Sequence, residues 1–452
     1  LIGEARWVGE TDLFLSTAQG RRNTRVGEWT KGCFKCHATG PEPRTHLSPP
    51  DTRAVELGIA CESCHGPARA HVDARRAGEV PTEPLVVNPT KLSPERSAAV
   101  CGQCHANFAT KGRATWRREG PTFRPGELLG DDRYLVSYAS EPDEDAPWLD
   151  AWLEGSPSRM DTKFWPDGSV LPGGREYSGL VESACFLEGG MTCNSCHSAH
   201  RYDSPDKMLK PDALGDAACT TGGCHVVFVG AAVAEHSHHA AESPGSRCVN
   251  CHMPPTSWGM HRAVASHRID APDAVDVLDN PRPNACNLCH LDRTTRWTAQ
   301  TLADWYGGPA PVGPAERGAP GAGIGWLLSG HAVQRGLAAW AMGWAPARQA
   351  SGADWMPSLL AEALRDPVSA VRLVAERALR LDPAYDDVPF DFTGDAEVRD
   401  GAAEAVLDVW RAAGGRRRAD PHVLVGADGR RDTAAIDAML SARDTRRIGV
   451  GE

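Results

Sequence analysis

Cys61-Glu62-Ser63-Cys64-His65 carries the pattern on which the reading of this chain turns: two thiols separated by two residues, with an imidazole directly after the second. The same spacing recurs at Cys33, Cys36, His37; at Cys101, Cys104, His105; at Cys193, Cys196, His197; at Cys248, Cys251, His252; and at Cys286, Cys289, His290, making six copies. A seventh set, Cys219, Cys224 and His225, has four residues between its cysteines. The seven sets use fourteen of the fifteen cysteines. Two thiols so spaced can add to the two vinyl groups on one edge of a porphyrin while the adjacent His reaches the iron. Zinc knuckles also use paired cysteines, but neither they nor a disulfide framework call for a His directly after the second Cys. The chain is therefore expected to carry seven covalent haem c groups. Cys185 is left over and is expected to be a buried free thiol.

The sixth ligand of each iron decides whether it passes electrons or does chemistry. Of 17 His, seven follow cysteines, and His331 and His422 lie far beyond the last motif. Eight candidates remain for seven irons: His46, His71, His200, His236, His238, His239, His261 and His267. His71 and His200 stand shortly after an attachment motif, where a His cannot easily turn back over its own haem but can cap a neighbour's. Methionine is the competing ligand; Met253 directly follows His252 and reads as packing, while Met160, Met191, Met208 and Met260 have no positional support. Mostly bis-His, low-spin, low-potential haems are expected, with His261 or one of His236, His238 and His239 to spare.

From Cys33 to His290, 258 residues serve seven motifs, about 37 residues each, so porphyrin must make up much of the core. With 46 Gly and 34 Pro among 452 residues, much of this part is expected to be irregular loop. Residues 106–192 carry no motif; with Trp116, Trp148, Trp152 and Trp165 they are expected to wrap the haems, a docking loop being the alternative. After Trp297 the texture changes to Ala, Leu and Arg at helical spacing without cysteine. Leu359 to Leu364, then Asp366-Pro367, then Val371-Arg372 to Leu379 reads as helix, tight turn, helix, and Asp395 to Ala412 partly repeats the second half. That pattern resembles a HEAT-type repeat, whose units bury their apolar faces against one another. The expected fold is mostly α with extensive irregular loop: a heptahaem cytochrome c domain organised around stacked haems over 1–295, then an α-helical HEAT-like domain over 296–452.

The formal charge is −11, from 48 Lys and Arg against 59 Asp and Glu, which argues against a nucleic-acid partner. No apolar run reaches the roughly 18 residues of a membrane span, so a soluble or peripheral protein is expected. The chain begins at Leu1 without Met or a leader-like stretch, as would follow from removal of an export signal or from truncation.

The whole pattern resembles a broad family of exported multihaem cytochromes c joined to a C-terminal helical-repeat domain of the HEAT or TPR kind. The resemblance rests on Gly32-Cys33-Phe34-Lys35-Cys36-His37, on Cys61 to Pro67, on Cys101-Gly102-Gln103-Cys104-His105, on Cys251-His252-Met253-Pro254, on Pro283 to His290, and on the ending at Gly426 to Asp432 and Arg443-Asp444. Members usually carry a further CxxCH in a segment beginning much like Trp7-Val8-Gly9; here that motif is absent, so an additional haem-bearing segment could precede the chain. The resemblance implies periplasmic or extracellular electron transfer, with other redox proteins or further copies of the chain as partners, and membrane-complex association as one setting. An extracellular cytochrome filament is the first alternative. A multihaem oxidoreductase acting on a small nitrogen or sulfur compound is the second; such enzymes commonly replace the proximal His by Lys, and no CxxCK occurs here. An electron-transfer protein is expected before an enzyme.

Intact-mass spectrometry should give the apoprotein plus seven haems, and Cys219→Ser with Cys224→Ser should give six. Five haems or fewer in the unsubstituted protein, or stoichiometric zinc, would overturn the count.

Overall fold

The structure is a computed structural model that describes residues 33–139, 147–153, 157–204, 207–259, 261–312, 319–414, 420–426, 428–446 and 448. Trp7-Val8-Gly9, Gly32, Met260 and Ala427 lie outside the described residues. Between residues 33 and 294 the described residues form a succession of short helices and long loops, with three two-stranded antiparallel ribbons among them. These ribbons pair Ala38–Thr39 with Glu56–Leu57, Phe108–Thr110 with Arg133–Leu135, and Ser257–Gly259 with Arg262–Val264. Most of these helices are a single turn, too short to be stable in isolation, so tertiary contacts must hold them.

From Thr295 onward helices lengthen: Thr295–Tyr306, Ala322–Ser329, Ala332–Gly343, Ala345–Ser351, Met356–Leu364, Ser369–Leu379, Ala396–Ala412 and Thr433–Ser441. Ala332–Gly343 packs on Ser369–Leu379, and Met356–Leu364 packs on both Ser369–Leu379 and Ala396–Ala412. Leu337, Ala338, Ala341 and Met342 are fully buried, as are Met356 and Leu359. Their alanines allow close helix approach, while Leu and Met fill the space between.

The large apolar core does not stop at residue 295. Trp165, Leu171, Trp258, Leu288 and Leu291 belong to the same buried cluster as the C-terminal helices. Trp258 meets the helix Ala332–Gly343 at Gly336, where a Cβ would come 2.9 Å from the indole ring. Trp165 donates its indole N–H to the Thr256 carbonyl at 3.1 Å and lies 5.1 Å from the His331 ring. His331 caps the helix Ala332–Gly343, accepting at Nδ1 from the backbone N–H of Val333 and Gln334. Burial pushes its imidazole down to about 4, so it remains neutral and able to accept.

In the motif-free stretch, Trp148 stacks on Tyr134 at 4.6 Å, and Val136, Leu149, Leu153, Phe164 and Val170 form a small core beneath. No helix among the described residues is long and apolar enough to cross a membrane.

The turn Asp366-Pro367 anchors the C-terminal helices electrostatically. The buried Asp366 carboxylate accepts two hydrogen bonds from Arg335, at 2.7 and 3.1 Å, and a salt bridge from Arg443 at 3.2 Å. It also receives the Val368 N–H at 2.8 Å, while Arg372 donates to the Asp366 carbonyl at 2.6 Å. Removing one partner of a buried ion pair leaves the other uncompensated, so Asp366→Ala should cost about 3–5 kcal/mol. Denaturant unfolding followed by far-ultraviolet circular dichroism checks this; an unchanged midpoint would refute it.

Candidate haem sites

Side chains three apart on a helix share one face, roughly 5–6 Å between Cβ atoms, which suits two thiols to one porphyrin edge. The motif segments adopt that geometry. Cys61–His65 and Cys248–His252 are helical throughout; Pro94–His105 ends on its motif; and Phe34–His37, Cys193–Cys196 and Ala285–Cys289 contain most of theirs. The His N–H closes the turn by donating to the first cysteine's carbonyl: His37 to Cys33 at 2.9 Å, His197 to Cys193 at 2.9 Å, His290 to Cys286 at 2.8 Å.

The long set reaches the same closure. His225 N–H donates to the Cys219 carbonyl at 3.1 Å, although two more residues intervene. The extra length is looped out at Gly222 and Gly223, whose φ angles of 70° and 87° lie in the left-handed region that glycine adopts without strain. Cys219 and His225 thus keep the backbone relation that the first cysteine and His have in the shorter motifs.

Four of the eight candidate distal histidines face a motif histidine. His65 and His200 have ring centroids 6.0 Å apart with planes 13° from parallel. His197 and His267 stand 6.2 Å apart at 24°, His252 and His236 6.2 Å at 8°, and His290 and His239 6.3 Å at 32°. With metal–imidazole bonds of about 2 Å and each ring centre roughly 1 Å behind its nitrogen, two imidazoles on one iron have centroids about 6 Å apart. His200, three residues past His197, faces the motif at 61–65 and not the one it follows.

The ring orientations are held from behind. Nδ1 of His65 donates to the Val87 carbonyl at 2.6 Å, that of His197 to Lys207 at 2.7 Å, and that of His252 to Asp270 at 3.0 Å. Among the facing rings, His239 donates to Ser237 at 2.6 Å and His267 to Ala265 at 3.0 Å. Each such bond fixes the tautomer and leaves Nε2 for a metal. Burial lowers His236, His267 and His290, which favours the neutral, metal-binding form.

His105 differs. Its Nδ1 meets the Glu176 carboxylate at 2.7 Å. That hydrogen bond raises His105; burial works to raise the Glu176 carboxyl too, but the contact with His105 holds it down at about 2. A sequence separation of 71 leaves no local signal, so Glu176 could not have been singled out from spacing.

Neither His105 nor His225 has a facing imidazole in the stacked pairs of the described residues. The other four candidates lie elsewhere. His238 stacks on Trp305 at 4.4 Å, His46 is exposed in a cleft with Arg44, Arg53 and Arg118, and His71 is half-buried on the helix Arg69–Arg76. The His261 carbonyl accepts from Arg377 at 3.5 Å, and burial pushes its imidazole down to about 4.

Motifs remote in sequence touch through their cysteines. Cys36 and Cys104 each reach the other's carbonyl at 3.9 Å. The helix Cys193–Cys196 packs on Pro94–His105, with Cys101 and Cys193 within electrostatic reach of each other, as are Cys219 and Cys248. Cys64 is within electrostatic reach of Cys101, Cys196 of Cys219, and Cys251 of both Cys286 and Cys289. Cys185 lies among the thiols of two motifs, near Cys196 and Cys224, and burial raises it.

The residues present fit covalent haem. Burial pushes Cys251 up to about 11 and Cys286 and Cys289 up to about 12, an apolar setting at these two motifs that suits uncharged thioethers. Among the described residues no three His, Cys, Asp or Glu side chains converge as a zinc site needs. Apolar side chains lie exposed beside the motifs: Val55, Leu57 and Ile59 before Cys61, and Val226, Val227 and Val229 after His225, all 51–69% exposed. A porphyrin attached at these motifs would cover them.

Residues 14–66, which include the first two motifs, match the family described as cytochrome c554 and c-prime. No curated protein matches the chain. Among solved structures it is similar to the outer cell wall cytochrome OcwA, at 17% identity and a TM-score of 0.44 over 85% of this chain and 77% of that one, too distant a likeness to decide fold or activity. The family match supports a c-type multihaem cytochrome that carries covalent haem c and transfers electrons.

His200→Ala should turn one low-spin ferric signal in electron paramagnetic resonance into a high-spin one at unchanged haem content. His238→Ala, which removes only the ring on Trp305, should leave every ligand signal in place. An unaltered spectrum for His200→Ala would break the pairing with His65.

Proposed function

We propose that the chain conducts electrons through seven haems set in a forked line, as a conduit or subunit of an exported redox assembly. The observation that carries this reading is the set of four imidazole pairs at 6.0–6.3 Å, the spacing of two axial ligands on one iron. Bound haem c supplies a one-electron iron couple; the chain's residues hold it, ligate it and keep neighbouring groups close.

The cysteine contacts support an order. The motif at 101–105 adjoins those at 33–37, 61–65 and 193–197 and so stands at the fork. From 193–197 the line runs to 219–225, then 248–252, then 286–290. The last motif is fastened to the C-terminal helices: the Ser351 hydroxyl donates to the Cys289 carbonyl at 2.7 Å and accepts the Leu291 N–H at 2.8 Å. In this reading the HEAT-like helices clamp one end of the line, and redox partners or further copies of the chain meet the other. End-to-end contact of successive copies would make a filament.

A second reading is favoured by one observation, that His105 and His225 face no imidazole in the stacked pairs. Irons there with a free sixth position would bind a small nitrogen or sulfur compound, and the protein would be an oxidoreductase. Carbon monoxide separates the two readings. In the oxidoreductase reading the dithionite-reduced protein should bind carbon monoxide at the irons of His105 and His225, with the four low-spin signals of the paired imidazoles untouched; no binding at all favours the pure conductor. Binding at more than three irons would refute the four pairs.

A further inference from the structure

We propose that Glu176 is a positioning residue that makes the haem held by His105 the lowest-potential centre of the array, at its fork. The inference rests on the haem reading above and goes beyond it. It starts from a difference between otherwise similar groups. Nδ1 of His65, His197, His252, His239 and His267 meets a neutral backbone carbonyl, whereas that of His105 meets a carboxylate at 2.7 Å. A carboxylate behind a ligating His raises the basicity of the ring. A more basic axial ligand, with a negative charge close behind it, stabilises the ferric over the ferrous iron and lowers the potential.

The contact is built into the fold. The helix Glu176–Leu180 packs on Pro94–His105, and Tyr177 lies so close to Gly102, between Cys101 and Cys104, that a Cβ there would come 2.6 Å from its ring. One residue on, the Ser178 hydroxyl accepts the Asn107 N–H at 2.8 Å. The second Glu176 oxygen accepts the Gly174 N–H at 2.8 Å, which holds the carboxylate toward His105. The helix is thus pinned on both sides of the motif it serves.

Nearby cations act in the opposite sense and are weaker at this ligand. Arg133 is paired with Asp132 at 2.5 Å and stacks on Phe108, and Lys35 also lies over Phe108, toward the Cys36–Cys104 edge. Arg175 donates to the Gly174 carbonyl at 2.5 Å. None of them hydrogen-bonds to the imidazole, and Coulomb interactions weaken with distance and solvent. Glu176 also acts through space on His267, which faces His197, so the adjacent haem should respond in the same sense but less. A low-potential fork is the last place an electron rests, so a partly reduced array keeps its electrons on the arms.

The test is Glu176→Gln, which keeps a hydrogen-bond acceptor but removes the charge, with Glu176→Asp as the conservative variant. Potentiometric titration with electron paramagnetic resonance at each poise reads single centres. Glu176→Gln should retain seven haems, move the lowest reduction step to higher potential and alter one ferric signal; Glu176→Asp should restore most of the original behaviour. Seven haems with an unchanged titration, or a uniform shift of all steps, overturns the proposal. If Glu176→Gln fails to assemble, Glu176→Ala decides: a rise confined to the lowest step supports the proposal, and none overturns it. A parent protein without covalent haem would instead defeat the reading on which the proposal stands.

Discussion

An imidazole whose Nδ1 is tied to a carbonyl has one nitrogen left, and when two such rings face each other at the spacing of a single iron, the segments that carry them are no longer independent. His200 ties the loop after the fourth motif to the second, and His267 ties the segment after the sixth to the fourth. Short helices and long loops have little hydrogen-bonded structure of their own, so axial ligands shared across such pairs would supply what regular secondary structure supplies elsewhere. The exposed apolar side chains beside Cys61 and His225 belong to the same logic, since a porphyrin attached there would be their apolar partner.

The C-terminal helices solve the problem in the usual way, with alanine-rich faces, a leucine and methionine interior and buried charge held by multiple partners. Asp366 illustrates the cost: a carboxylate so deeply buried is tolerated because Arg335 and Arg443 both reach it and backbone groups satisfy what remains. The two organising principles meet at Trp165, Trp258 and Leu291, where the helical core extends under the last motif. A shared core there would give the final haem a rigid seat, while haems nearer the other end rest on loops.

Electrostatics then sets His105 apart from motif histidines that share its spacing. Carbonyl-backed ligands recur at five rings, and a single carboxylate stands behind His105, next to the point where three neighbouring motifs converge. One charge at such a place affects every route through the array. No catalytic group needs to be invoked for that effect.

Spacing along the chain was enough to single out the seven Cys and His sets, because covalent addition to a porphyrin edge would constrain residues that are sequence neighbours. It also exposed the change to helical texture after Trp297, since helix periodicity is local as well. In the looser Cys219–Cys224 set only the structure shows how Gly222 and Gly223 absorb the extra length. The eight candidate ligands could be counted but not paired. Which histidine faces which, the contact of cysteines from remote motifs, the core running past residue 295 and the carboxylate on His105 are all long-range contacts, separated by up to about a hundred residues and more. Periodicity and spacing carry no information on them, because each depends on how the loops close around the prosthetic groups and not on the residues alongside.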